Sequence, residues 1–137
     1  MSIRAMSGQQ STSPIEYLSA NGVDATLGRL LEAIEGAGMK VFATIDHAAG
    51  ARAVGLAMPA STVLLYGSAK GGTPIMLETP AAALDLPLRL LVREGGYGKA
   101  ILSFHPIADV LQDAGVSLEM AGRLAPAQQL LLQALKP

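Results

Sequence analysis

The sequence predicts an α+β fold: a single compact domain with about five strands in one sheet, a late β-hairpin, and helices packed against the sheet. Three observations carry this expectation. The chain has 137 residues, the size of one domain with a core of its own. Half of those residues are apolar, set in short blocks between Gly and Pro. No block approaches the roughly 18 consecutive apolar residues of a membrane span, so the surplus belongs inside the fold and between subunits. Helical and strand-like patterns interleave early, and a hairpin pattern follows late.

Residues 1–13 are polar, rich in Ser and Gln and without an apolar stretch, which reads as a flexible arm and not a secretory signal. The domain is then expected over 14–137. A first strand at 15–20 ends in the turn signal Asn21-Gly22. Asp24 stands where a helix N-cap belongs, and Leu27, Leu30, Leu31 and Ile34 recur at helical spacing before Gly36 and Gly38 stop the helix. Residues 40–46 are β-branched and aromatic, so they read as a strand, and Ala/Gly-rich 48–55 as a small helix or turn. The nearly all-apolar run 61–66 is expected to be a strand covered on both faces.

Residues 73–79 read as one or two helical turns with Thr73 as cap and Pro74 at the first position. Strands 86–93 and 99–104 flank the glycine-rich turn 94–98, which gives the hairpin. Pro106 opens a short helix that Gly115 ends, and Ser117 caps a last helical segment divided at Pro126.

A net charge of −1 and the lack of a basic stripe exclude an electrostatic nucleic-acid footprint. Cysteine is absent, which removes disulfides, thiolate metal sites and cysteine nucleophiles. A cytoplasmic location is the expectation, with no membrane and no nucleic-acid partner. The apolar surplus suggests a homo-oligomer, with a dimer the simplest.

Residues 64–74, LLYGSAKGGTP, hold the main candidate site. The phosphate-loop pattern G-x-x-x-x-G-K-[ST] fails, because Thr73 follows Gly72 directly and Lys70 lies inside the loop. Two readings stand: a tight strand-to-helix turn, or a seat for a small anion or small metabolite. The second would use Gly67, Lys70, Gly72 and Thr73 with the free N–H groups of the following helix. Arg89 and Arg93, opposite Leu88, Leu90 and Val92 on their strand, are further carboxylate-binding candidates, with a solvated strand face or subunit salt bridges as the plainer reading.

Catalytic candidates are Asp46, His47 and His105. His47 or His105 could act as general acid or base at the same loop, though a hydrogen-bonded structural histidine is the plainer reading of His47. The two lack close metal-ligand spacing, so no metal and no cofactor is expected. Binding module, enzyme and structural homodimer all remain open at this level.

Taken in order, the segments resemble the bacterial and archaeal domain of unknown function 302 family over residues 23–115. Phe42-Ala43-Thr44-Ile45-Asp46-His47, Met58-Pro59 and Thr62 carry the likeness, as do Leu65-Tyr66-Gly67-Ser68 and Gly72-Thr73-Pro74-Ile75-Met76. Leu84-Asp85-Leu86-Pro87-Leu88 and Gly98 complete it. The resemblance implies a compact α+β domain, often dimeric, with no established activity. Ser68-Ala69 departs from the Asn-Pro usual in that family. A helical extension, 117–135, follows the matched region, with Leu124, Leu130, Leu131 and Leu135 available for packing or assembly.

Overall fold

The structure is a computed structural model and describes residues 13–137. The expected arm, residues 1–13, therefore lies outside the described residues except for its last position. The elements run β1 (Ile15–Leu18), α1 (Val23–Gly36), β2 (Lys40–Asp46), α2 (His47–Ala53), β3 (Ser61–Gly67) and α3 (Ala69–Glu78). They continue with β4 (Leu88–Glu94), β5 (Ala100–Phe104), α4 (Ile107–Asp113), α5 (Leu118–Ala121) and α6 (Ala125–Ala134). The five strands form one sheet in the order β1-β5-β4-β3-β2, each neighbouring pair antiparallel. It is the single α+β domain the sequence predicts.

Helices cover one face of the sheet. Leu64 and Tyr66 of β3, Leu90 and Val92 of β4 and Leu102 of β5 point to that side and are fully buried. Leu30 and Ile34 of α1, Leu131 of α6 and Leu135 just after it meet them in one core. The C-terminal leucines at 131 and 135 thus complete the domain's own core. Burial alternates along β3 and β4, leaving Val63, Leu65 and Leu91 half-buried on the other face and Arg89 exposed there. The expectation that 61–66 is covered on both faces is corrected: an antiparallel sheet needs helices on one side only.

Local chemistry explains most element ends. Gly22, not Asp24, holds the cap position of α1 and offers no side chain. Asp24 instead lies in the first turn, where its charge suits the helix dipole. Thr26 is buried, its hydroxyl 2.7 Å from that of Ser19, and this ties α1 to the end of β1. Asp46 closes β2 and caps α2, its carboxylate accepting from the Ala49 N–H at 2.9 Å. The β4–β5 turn uses Gly98 at φ 72° and Tyr97 at φ 59°. Ser117 caps α5 as expected, while Pro106 takes the cap position of α4, so that helix starts one residue later than predicted.

The largest local correction concerns α3. It begins at Ala69, four residues before Thr73, and its cap is Ser68, whose hydroxyl accepts from the Gly71 N–H at 3.0 Å. Pro74 is inside the helix and not at its start. The two glycines that read as a turn both lie inside α3, and Gly72 is buried there. A Cβ there would stand 3.7 Å from Leu86 and 3.8 Å from Met76. Packing outweighs the poor helix propensity of glycine.

Candidate functional site

Two concavities flank the segment at 85–87: Leu86 and Pro87 line one, Asp85 the other. The first, about 480 Å³, lies where β3 passes into α3. Gly67, Ser68, Ala69, Gly72 and Thr73 form its backbone-rich side. Gly67 has φ 145°, which side-chain-bearing residues rarely adopt. Met39, Phe42, Met76, Leu86 and Leu124 supply apolar walls. Phe42 reaches this position through a β-bulge. Val41 pairs with Tyr66 and Ala43 with Leu65, so Phe42 is the extra residue, and such an insertion re-aims its side chain. Lys40 Nζ stands 5.9 Å from the centre of the Phe42 ring, which places a cation beside it.

Tyr66 also lines this cavity and is fully buried. Its hydroxyl has no hydrogen-bond partner among the described residues. Burial raises its pKa above the ordinary tyrosine value, because the phenolate would lose its hydration.

The second concavity, about 600 Å³, lies along the less covered sheet face. Arg89, Arg93, Ser103, Glu16 and His105 line it, over a floor that includes Val63 and Leu91. Arg93 Nη2 donates to Glu16 Oε2 at 3.2 Å, and the Ser103 hydroxyl donates to the same oxygen at 3.4 Å. Gln128 of α6, almost fully buried, clamps the turn after β5. Its Oε1 accepts from the Ile107 N–H and its Nε2 donates to the His105 carbonyl, both at 2.9 Å.

The candidate residues therefore separate. Gly67, Gly72 and Thr73 share the first cavity; Lys70 is not among its lining residues. Thr73 does not cap α3, so the first-turn N–H groups belong to Ala69, Lys70 and Gly71, and Ser68 already engages the last of these. Arg89 lines the second concavity and not the loop 67–73 cavity. His47 is exposed at the start of α2, and the carboxylate of its neighbour Asp46 caps the same helix. His105 follows β5, separated from β2 by β3 and β4 in the sheet order. Asp46, His47 and His105 are not brought together. Among the described residues, no cluster of three or more His, Cys, Asp or Glu side chains is arranged to hold a metal ion.

Sequence reasoning missed Ser68, Phe42, Tyr66 and Gln128. Ser68 carried a readable signal, a serine directly after a strand and three residues before the amide it binds. The Phe42 bulge and the reach of Gln128 across to the β5–α4 turn have no signature in a single sequence.

Comparison with known proteins gives three findings. The chain is 34% identical over 105 residues to proteins named fluoride-specific ion channel FluC 1 in Brucella suis biovar 1 (strain 1330) and Brucella abortus biovar 1 (strain 9-941). The aligned part is 75% of this chain and 41% and 39% of those two proteins, so the chain spans about two fifths of their length. No described helix is long and apolar enough to cross a membrane. A crystal structure of an uncharacterized conserved protein DUF302 from Bacillus stearothermophilus superposes with a TM-score of 0.77 at 15% identity. It covers 89% of this chain and 94% of that one, a likeness of fold. The family model of the domain of unknown function DUF302 matches residues 15–136, from β1 through the C-terminal helices, and the chain belongs to that family.

Proposed function

We propose that the chain is a binding domain for a small, mainly apolar molecule with one polar or anionic end, received at loop 67–73. The observation that supports this reading is the cavity of about 480 Å³ at the β3–α3 junction. Small-molecule sites typically span about 300–1,000 Å³ with apolar walls and few polar groups. The apolar body would lie against Met39, Met76 and Leu124. Its polar end would meet the Ala69 amide at the start of α3, with the Lys40 ammonium near Phe42 as an available charge.

A compact inorganic anion fits this cavity poorly, since apolar walls offer nothing to replace its hydration. The fluoride specificity in the names of the Brucella relatives is therefore not carried over, and fluoride serves as a control. A catalytic role for His47 has little support, because it is exposed and its adjacent carboxylate is engaged as a helix cap. The reading takes the cytoplasm as its setting. A homodimer is a second reading. It is favoured by the half-buried Val63, Leu65 and Leu91 on the sheet face away from the helices, with Ile45 42% exposed there. Sedimentation reads that state directly.

Thermal unfolding against aromatic and aliphatic alcohols and acids, phosphate and fluoride tests the binding reading. A ligand at a hundred times its dissociation constant stabilises by about 2.7 kcal/mol. That corresponds to a rise of several degrees in a domain of this size. The expected result is a rise with apolar compounds that vanishes in Gly72→Leu, whose side chain fills the cavity. Equal rises in both proteins, or none with any apolar compound, overturn it.

A further inference from the structure

We propose a second small-molecule site, in the groove on the less covered sheet face, for a small carboxylate with an apolar body. It is separate from the cavity at loop 67–73 and is built from different residues.

The two arginines of β4 on this face are in different states. Arg93 is bonded to Glu16, whereas Arg89, four residues earlier, is exposed and has no hydrogen-bond or ion-pair partner among the described residues. Both line the groove of about 600 Å³. Glu16 is one of the two carboxylates that line the groove. It is held by Arg93 and by the Ser103 hydroxyl, itself only 8% exposed. One end of the groove is thus internally neutralised, and the other offers a free planar fork of donors suited to a carboxylate.

Between these ends the surface is apolar. Val63 and Leu91 form the floor, and Ile107 and Val110 of α4 contribute from the side. Gln128 fixes that side by binding both Ile107 and the His105 carbonyl, so α4 is anchored relative to β5 before any ligand arrives. A molecule that places a carboxylate on Arg89 and hydrocarbon on Val63 and Leu91 satisfies both surfaces at once. The remaining charged or titratable groups of the groove are Asp85 and His105. Asp85 disfavours a dianion and accommodates an ammonium group, so a monocarboxylate fits, with or without an amino group beside it.

The test is titration of the full isotope-labelled chain with hexanoate, leucine, hexanol and phosphate, followed by amide shifts. Hexanoate or leucine is expected to move the amides of Leu91, Ser103 and His105. Hexanol, which lacks the charge, and phosphate, which lacks the hydrocarbon, should bind at least tenfold more weakly. Arg89→Gln should weaken carboxylate binding about tenfold or more, the effect of losing a charge-assisted pair. Arg89→Lys, which keeps the charge and loses the fork, should fall between. Neither substitution removes a contact within the fold, so unfolding is not expected to obscure the result. Shifts confined to Gly67 and Gly72 overturn the proposal by placing the ligand in the other cavity. Binding that ignores Arg89→Gln, hexanol as effective as hexanoate, or no shift at the groove also overturns it.

Discussion

Leu90 and Leu91 are neighbours on β4 and lie on opposite faces of the same sheet; Leu90 is fully buried and Leu91 half-buried. The helix-covered face carries the core and hence the stability of the domain. The other face is apolar at its centre but rimmed by Arg89, Arg93 and Glu16, with room above it. One side of a sheet can specify a fold while the other remains free to meet something else. Along β3 and β4 the division follows the strand alternation.

The sharpest way to break this comparison is to truncate each leucine. Leu90→Ala should cost about 2–5 kcal/mol, the range for deleting a buried leucine side chain. Leu91→Ala should cost about 1 kcal/mol, since part of its side chain already meets water. Urea unfolding midpoints measure both. Equal losses would mean that Leu91 is covered in solution, as a second copy of the chain would do.

Gln128→Leu comes next. It leaves the Ile107 N–H and the His105 carbonyl without their partner, at about 1–3 kcal/mol. Faster hydrogen exchange at Ile107 should accompany the loss, because Gln128 links the core to the wall of the groove. Unchanged exchange there would show that the wall is held by other contacts. At the opposite cavity, Ser68→Ala removes the cap of α3 and should cost about 1 kcal/mol. Asparagine or aspartate at the same position should recover most of it.

The smallest effect has the opposite sign. Tyr66→Phe deletes a buried hydroxyl that has no partner among the described residues, so stability should rise by up to about 1 kcal/mol. Its pH dependence sharpens the point. The folded state holds this proton more tightly than the unfolded chain, whose tyrosine titrates near 10. This titration therefore leaves stability unchanged below pH of about 10 and lowers it as pH rises beyond that. Tyr66→Phe should flatten that alkaline decline, and an unchanged slope would mean that water reaches the hydroxyl and burial does not hold its proton.

The architecture was legible where one local rule decided the outcome. The helical spacing of Leu27, Leu30, Leu31 and Ile34 set α1, and the glycines around Tyr97 marked the hairpin. The start of α3 was not legible, since Gly71, Gly72 and Pro74 are local breakers and the contacts that make Gly72 helical come from Met76 and, across the fold, Leu86. For the candidate site, alternation correctly placed Arg89 opposite Leu88 and Leu90. It could not show that loop 67–73 borders a different cavity, which depends on strand order and on the extra residue at Phe42.

The sheet order bears on how the chain is made. β2 pairs with β3, β3 with β4 and β4 with β5, each partner following soon after in the sequence. β1 is the exception: Ile15 aligns with Phe104, across most of the chain. During synthesis from the N-terminus, β1 must leave the ribosome and wait until β5 has followed it out. Strands β2 to β5 can assemble as they emerge, and the first strand made is the last to join the sheet.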